Sequence, residues 1–286
     1  MKRYLDPKSD LVFKRVFGEH AHILRAFLNA VLPLPEGEKI VSLEYLSPEQ
    51  VPEIPILKFS IVDVRCEDQL GRRFIVEMQM EWSEVFLKRF FFNTSKAYVQ
   101  QLDKGEAFEY IQPVYGLCLL NDYYDRNTED YYHHFKILSV RDPKREIQGL
   151  QMVLIEIPKF KSLHAPGAET DQEIWLRYLQ ETGKHEKGPE EIAAYTPEVK
   201  EALELAQVAA FSRGEMEAYD RYWDAVSTHK SLMNAKLSEG IALGHSKGLE
   251  EGLAKGKALA LQEAFQKMVA SGIPAEQARS LLGMDF

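Results

Sequence analysis

Two short segments decide the fold of this chain: residues 59–66, FSIVDVRC, and residues 72–80, RRFIVEMQM. Both are rich in the branched and aromatic residues that strands favour. The residues between them, EDQLG at 67–71, are polar and end in a glycine, which suits a tight turn. The pattern therefore predicts a β-hairpin. Because side chains alternate between the two faces of a strand, Glu77 and Gln79 are expected on one face.

A carboxylate set among apolar residues needs a cation or a partner, because burying an unpaired charge is costly. Asp63 is predicted mid-strand on the first segment, within pairing reach of Glu77 on the second. Two carboxylates that converge there can hold a hard divalent cation through oxygen ligands, as magnesium prefers. The residues alone also allow a simpler interpretation, in which Glu77 faces solvent on an edge strand and Asp63 ends a strand in a turn.

An acidic residue on one strand, followed by a Glu-x-Lys variant on the next, resembles the PD-(D/E)xK nuclease superfamily. The flanking segments DPKSDLVFKRVFG at 6–18 and PVYG at 113–116, with residues 89–105, are similar to the recombination-promoting nuclease family, whose members are also described as transposases. The resemblance runs from residue 3 to about residue 125 and returns in a glycine repeat near the C-terminus. It implies a restriction-endonuclease-like α/β fold, with a mixed sheet flanked by helices and a helical C-terminal region.

The resemblance also implies roles for individual residues. Asp63 and Glu77 match the acidic residues that hold Mg²⁺ or Mn²⁺. Gln79 stands where most of the superfamily has lysine; it can orient a water molecule but brings no charge. The metal, or a cation such as Arg89, would then supply more of the electrostatic stabilisation. Whether one or two metal ions take part stays open.

Further residues are expected to line the site. Asp10 matches an acidic position on the first helix, and Arg89, Tyr98 and Gln101 match positions on the helix after the hairpin. DNA binding needs a local basic surface and not a basic total. The basic candidates are Lys8, Lys14, Arg15, Arg72, Arg73, Lys88, Arg89 and Lys96.

Composition fits an ordinary globular protein of 286 residues, with 45% hydrophobic residues, 28% charged residues and a net charge of −9. No apolar run reaches the length of a membrane span, and the N-terminus lacks the apolar core of a signal peptide. The two cysteines are expected to be buried thiols in a reducing cytoplasm. Histidine spacing gives no metal site, and motifs of serine hydrolases and P-loop enzymes are absent from the sequence.

Hydrophobic periodicity predicts the main elements. A first helix is expected over residues 9–32 with an interruption at Gly18, a second over 84–103, and a short one around 175–179. Apolar strands are expected at 114–120 and 150–157, and helices follow after about residue 190. We divide the chain into a nuclease-like domain at 1–160, a helical region at 161–230 and a glycine-repeat tail at 231–286.

The tail carries glycine at every fourth position, at 240, 244, 248, 252 and 256. Each glycine costs a helix roughly 1 kcal/mol relative to alanine, so the spacing needs a compensating contact. Close approach of another helix provides one and predicts a homo-oligomer, whereas a disordered tail is the alternative. The charged residues of this segment exclude a membrane helix.

These observations predict a cytoplasmic, metal-dependent DNA endonuclease linked to recombination or mobile elements. The alternative is a catalytically weak relative that acts as a DNA-binding or protein-interaction module of the same fold.

Overall fold

The structure is a computed structural model, and it describes residues 4–46, 64–102, 107–164, 168–183 and 196–284. Asp63, with the rest of the segment 59–63 from the predicted first strand, lies outside the described residues. The chain divides into two compact units, Met1–Val226 and Ser227–Phe286.

A six-stranded mixed sheet forms the centre of the first unit, with the strand order β1-β2-β3-β4-β6-β5. Strands β3, β4 and β6 are parallel neighbours, and the other pairs are antiparallel. The strands are β1 Leu43–Tyr45, β2 Val64–Asp68, β3 Arg73–Gln79, β4 Val114–Leu120, β5 Tyr132–Leu138 and β6 Glu146–Glu156.

The predicted hairpin is present in its described part. Val64 of β2 pairs with Val76 of β3, and Cys66 pairs with Phe74. Gly71 adopts a φ of 76° in the connecting turn, a left-handed conformation that glycine reaches without a steric penalty. The turn thus fixes the register, and the register fixes which side chains share a face.

Helices and one π-helical turn pack around the sheet in the first unit, and further helices follow toward the C-terminus. The helices are α1 Asp10–Phe13, α2 Ala21–Val31, α3 Glu84–Val99, α4 Asp171–Glu181, α5 Pro197–Leu205, α6 Arg213–Ala270 and α7 Ala275–Leu281. The predicted first helix is divided as expected near Gly18, where a π-helical turn, Lys14–Gly18, ends before α2 begins. Helix α3 ends at Val99, earlier than the predicted residue 103.

The two faces of the sheet have different partners. Phe74, Val76 and Met78 of β3 face the larger apolar core, which also contains α1, α2, α4 and α5. The opposite face packs on α3, with Phe90 against Cys118 and Leu154. At Gly116 a Cβ atom would lie 2.7 Å from Thr94 Oγ1 and 2.8 Å from Phe90 Cζ, so the glycine permits the close approach of α3.

The second unit consists of the larger part of α6 together with α7. Each of the five regularly spaced glycines lies within α6, and a Cβ atom on any of them would meet nothing within 4 Å. The segment is therefore helical in spite of its glycines. In the part of the chain that the structure describes, none of the helices combines the length and the hydropathy of a membrane span.

Candidate active site

Glu77 and Gln79 lie on the face of β3 that α3 covers. Their exposed fractions are 2% and 8%, so both polar side chains are buried. The alternation along β3 places them opposite Phe74, Val76 and Met78, which belong to the larger core. The interpretation of Glu77 as a solvent-facing residue on an edge strand is wrong, because β3 is an interior strand between β2 and β4.

Helix α3 contributes two side chains to this face. The Nδ2 atom of Asn93 donates a hydrogen bond of 3.0 Å to Glu77 Oε1, and Asn93 itself is buried. The Nη2 atom of Arg89 lies 3.3 Å from Gln79 Oε1 and 3.9 Å from Glu77 Oε2. One turn of α3 therefore contacts both polar residues of β3, since residues 89 and 93 are four apart and share a face of the helix.

The remaining contacts fix Gln79 and Arg89. Gln79 Nε2 donates to the backbone carbonyl of Glu81 at 2.7 Å, so the amide oxygen is turned toward Arg89. The guanidinium carbon of Arg89 lies 5.2 Å from the ring centroid of Phe86. The result is a positive group held beside a buried carboxylate by an amide and an aromatic ring.

The Cys118 thiol lies in the electrostatic field of this cluster, which influences its pKa. Complete burial raises its pKa well above the usual range, the nearby charge of Glu77 raises it further, and Arg89 opposes the shift. Cys118 pairs with Glu77 in the β3–β4 register. The thiol stays protonated at neutral pH and serves as an apolar wall of the cluster.

Asp10 and Lys14 lie on the N-terminal helical segment. Asp10 is the first residue of α1, and its Oδ1 atom is buried without a hydrogen bond among the described residues. Burial raises the pKa of Asp10, and the charge of Lys14 partly offsets that shift. The charge of Asp10 in turn contributes to a raised pKa of Tyr222 on α6, whose main cause is burial. The structure thus brings Asp10 together with Lys14 and Tyr222.

Tyr98 lies in the last turn of α3, and Gln101 follows the end of that helix. The Tyr98 ring packs on Gly149, where a Cβ atom would come within 2.9 Å of it. Gln101 brackets the backbone of Gln112, because its Nε2 donates to the Gln112 carbonyl and its Oε1 accepts from the Gln112 amide, both at 2.8 Å. These contacts fix the C-terminal end of α3 and the segment that precedes β4.

Part of the predicted basic surface faces inward. Lys8 is 4% exposed; its Nζ atom donates to the Leu179 carbonyl at 2.9 Å and lies 2.7 Å from Asp6 Oδ1. Arg72 is 2% exposed and pairs with Asp68. The prediction that Lys8 and Arg72 contribute to a DNA-facing surface is wrong, because both cations bind the protein's own groups.

The donor chemistry of the cluster suits a hard cation, since Glu77 supplies a carboxylate and Gln79 an amide oxygen. Within the described ranges, no three His, Cys, Asp or Glu side chains converge in a way that could hold a metal ion. The predicted second carboxylate, Asp63, falls outside those ranges. The described residues of the cluster therefore supply some of the ligands that a metal ion needs, and not a complete set.

Sequence reasoning missed Asn93. Asparagine in the middle of a helix carries no motif, and its role appears only when α3 is laid across β3. One signal was available: Asn93 follows Arg89 by four residues, and a helix places two such residues on one face.

Comparison with known proteins gives one family. The family model described as PD-(D/E)XK nuclease family transposase matches residues 7–235. No curated protein and no solved structure matches the chain. The match confirms the predicted family resemblance, and together with the mixed sheet flanked by helices it confirms the restriction-endonuclease-like α/β class.

Proposed function

The chain belongs to the PD-(D/E)XK nuclease family transposases, and from this membership we propose that it is a metal-dependent DNA endonuclease that acts in recombination or on mobile elements. The observation that carries the proposal is the buried Glu77 carboxylate, which Asn93 holds at 3.0 Å and which Arg89 faces at 3.9 Å. A buried carboxylate of this kind in a nuclease fold suits metal binding better than packing.

We propose Glu77 and Asp63 as the ligands of Mg²⁺ or Mn²⁺. Support comes from the register: Asp63 precedes Val64 in the sequence, Glu77 follows Val76, and Val64 pairs with Val76. When bound, the metal ion would lower the pKa of a water ligand and polarise the phosphoryl oxygen. Asn93 keeps one oxygen of Glu77 occupied and thereby orients the other.

Arg89 takes the place of the lysine that most of the superfamily carries. Its guanidinium supplies the positive charge that Gln79 lacks, and Gln79 holds it through the 3.3 Å contact. Gln79 has a second role in this proposal, as the amide that positions the attacking water. A planar guanidinium beside the site can bind two oxygens of one phosphate.

The other predicted residues keep roles in the proposal. The described interactions of Asp10 are with Lys14 and Tyr222, and its role as an additional acidic group at the site, with Lys14 as the accompanying cation, stays a prediction. Tyr98 and Gln101 act through α3, because their contacts hold that helix on the sheet. We place the activity in the cytoplasm, and the two buried free cysteines support that expectation.

A second candidate function is compatible with the same fold but involves little catalytic activity. Gln79 in the lysine position favours a catalytically weak DNA-binding or protein-interaction module. The two functions differ in one property: a binding module needs the basic residues around the site but not the Glu77 carboxylate.

The test is cleavage of supercoiled plasmid in Mg²⁺, Mn²⁺ or EDTA by the parent and by Glu77→Gln. Glu84→Gln is the matched control, because Glu84 is an exposed carboxylate in the first turn of α3. The proposal expects metal-dependent nicking by the parent and by Glu84→Gln, and its loss in Glu77→Gln. Equal nicking by all three proteins, or none by the parent, would exclude the proposed chemistry.

We also infer that α6 joins two copies of the chain. The glycines at 240, 244, 248, 252 and 256 form a groove along the helix, and the row one residue further, which includes Ile241, Leu249 and Leu253, forms a ridge. These three side chains are 58–66% exposed. Rows of residues four apart interdigitate in the commonest packing of helix pairs, so the ridge of one copy fits the groove of another.

Light scattering tests this assembly. Replacing Gly244, Gly248 and Gly252 with leucine fills the groove and should lower the mass of the parent oligomer to that of a monomer. Alanine at the same three positions is the control for helix propensity, since it stabilises the helix while adding little volume. An unchanged mass in the triple-leucine protein, with a parent larger than a monomer, would remove the assembly role from this helix.

A further inference from the structure

The outer side of α3 carries an exposed aromatic ring among cations. Phe92 is 65% exposed, although a phenyl ring gains free energy from burial. Lys88 and Lys96 lie four residues before and after it, and Arg89 lies three residues before it. Residues at these spacings are neighbours on a helix surface. One ring is thus flanked by three positive side chains.

Phe91, the preceding residue, has a different setting. It is 49% exposed and points about 100° away around the helix. Its neighbours four residues away, Leu87 and Ser95, are uncharged, and Lys88 lies three residues before it. The two adjacent phenylalanines are both exposed, but Phe91 has one cationic neighbour at these spacings and Phe92 has three.

Phe92 lies on the side of α3 that leads to the candidate site. Arg89 belongs both to the cation group around Phe92 and to the Glu77 cluster, where its Nη2 atom lies 3.3 Å from Gln79 Oε1. The rise between residues 89 and 92 is about 4.5 Å along the helix axis. A phosphate bound at Arg89 would therefore have its neighbouring nucleotide close to Phe92.

We propose that Phe92, with Lys88 and Lys96, is a stacking platform for an unpaired DNA base next to the scissile phosphate. The inference rests on the proposed nuclease function and narrows its substrate to DNA with single-stranded character. Proteins that bind single strands combine aromatic faces for the bases with cations for the backbone. A duplex keeps its bases stacked inside and offers no free π face to Phe92. The strand's phosphates complement the three positive charges.

The alternative ligand for this side of α3 is a protein surface. Val85 and Val99 lie seven residues before and after Phe92 and are 63% and 71% exposed, so an apolar stripe runs along the same side. Apolar contact requires area but no π face, whereas stacking requires the ring itself. Leucine at position 92 separates the two, because it keeps apolar area and removes the aromatic face.

The experiment measures DNA binding without cleavage. Fluorescence anisotropy follows a labelled oligo(dT) of about 12 nucleotides, a length within the usual site sizes, with a duplex and an RNA of equal length as the other arms. EDTA is present throughout. Phe92→Leu should weaken binding of the single DNA strand about 5- to 100-fold, the equivalent of one lost stacking contact. Phe92→Trp should bind at least as well as the parent, and Phe91→Leu, the matched control, should bind like it.

The lysines are tested by salt dependence. Lys88→Gln and Lys96→Gln should each lower the slope of log affinity against log salt by about 0.7, the value for one phosphate contact on a single strand. Neither change should alter the preference for single strands, because the lysines contact the backbone and not the base.

Three results would overturn the platform. The first is an unchanged affinity of Phe92→Leu for the single strand, and the second is an equal loss of affinity in Phe91→Leu. The third is a lower oligomeric mass or lower stability of Phe92→Leu with unaltered DNA binding, which would make the apolar stripe a protein contact. The two proposals fail separately. Plasmid cleavage that depends on Glu77 with no effect at Phe92 removes only the platform. Binding that depends on Phe92 in a protein without cleavage removes only the nuclease chemistry.

Discussion

Two buried carboxylates on one face of the sheet have opposite surroundings. Glu77 lies in β3 and Glu156 at the end of β6, and the register aligns their strands through β4. Their exposed fractions are 2% and 0%. Both carboxylates are therefore buried on interior strands, and they differ in the groups that contact them.

Glu156 is neutralised by the protein. His133 Nε2 lies 2.7 Å from its Oε1 atom, and Lys159 Nζ lies 2.9 Å from the same oxygen. The backbone amide of Tyr124 donates to Oε2 at 2.8 Å. A cation at hydrogen-bond distance and a backbone donor are the usual arrangement of a structural carboxylate.

Glu77 is held differently. Asn93 donates a hydrogen bond of 3.0 Å to its Oε1 atom, and Arg89 Nη2 lies 3.9 Å from its Oε2 atom. From the family membership we propose that Glu77 binds a cation, whereas the contacts of Glu156 are those of a carboxylate that contributes to stability. Substitutions at the two positions should therefore change different properties.

The largest effect is expected on cleavage. Glu77→Gln should reduce plasmid nicking about 1,000-fold, because it removes a carboxylate from a site where charge stabilisation contributes several kcal/mol. Its free energy of unfolding without metal should stay close to that of the parent. Nicking rates and urea denaturation check the two parts, and near-parental cleavage would place the chemistry elsewhere.

Glu156→Gln should have the reverse effect. We expect a loss of about 3 kcal/mol in the free energy of unfolding, because Lys159 and His133 lose their shared anion. Metal affinity, measured where the variant is folded, should be unchanged. A stable Glu156→Gln protein, or one with impaired metal binding, would erase the distinction between the two carboxylates.

Asn93 of α3 tests whether the orientation of Glu77 matters for metal binding. Asn93→Ala should weaken metal affinity about 10-fold, as is typical when a group that orients a ligand is removed. Ser95→Ala on the same helix is the control and should bind metal like the parent. Calorimetric titration with Mn²⁺ measures both. If Asn93→Ala bound Mn²⁺ with the parent's affinity, the Asn93 side chain would have only a packing role.

A third buried carboxylate gives the smallest effect, on pH dependence. Burial pushes the pKa of Glu173 upward, but hydrogen bonds from the Thr170 and Leu163 amides and from His164 lower it to about 2. An unfolded glutamate titrates near about 4.3. The charged form therefore stabilises the fold fully above that pH, and the contribution is lost as the pH falls toward 2.

The stability difference between the parent and Glu173→Gln should accordingly be present at neutral pH and shrink as the pH falls below about 4.3. Thermal melts across that range measure it. A difference that grew in acid would mean that the carboxylate is not stabilised in the folded state.

Local patterns predicted the parts of the fold that depend on neighbouring residues. The apolar run Val114–Leu120 has the predicted bounds, since a strand buried on both faces reads as a continuous apolar segment. Strands Leu43–Tyr45 and Tyr132–Leu138 were not predicted, because the first is short and both lie at the sheet edges, where apolar alternation is weak.

The candidate site was only partly predictable. Glu77 and Gln79 follow from alternation within nine residues, and Arg89 was expected from the family resemblance, whereas the contact of Asn93 depends on how α3 crosses the sheet. Lys8 is the clearest failure. Its partner, the Leu179 carbonyl, is 171 residues away, and no local pattern encodes that contact.

The central claim is that Glu77 holds a divalent cation, and calorimetric titration of Mn²⁺ into the full-length protein tests it most directly. The parent and the Glu84→Gln control should both bind the metal with equal affinity, and Glu77→Gln should show no binding in the same concentration range. Parental affinity in a folded Glu77→Gln protein would contradict the claim.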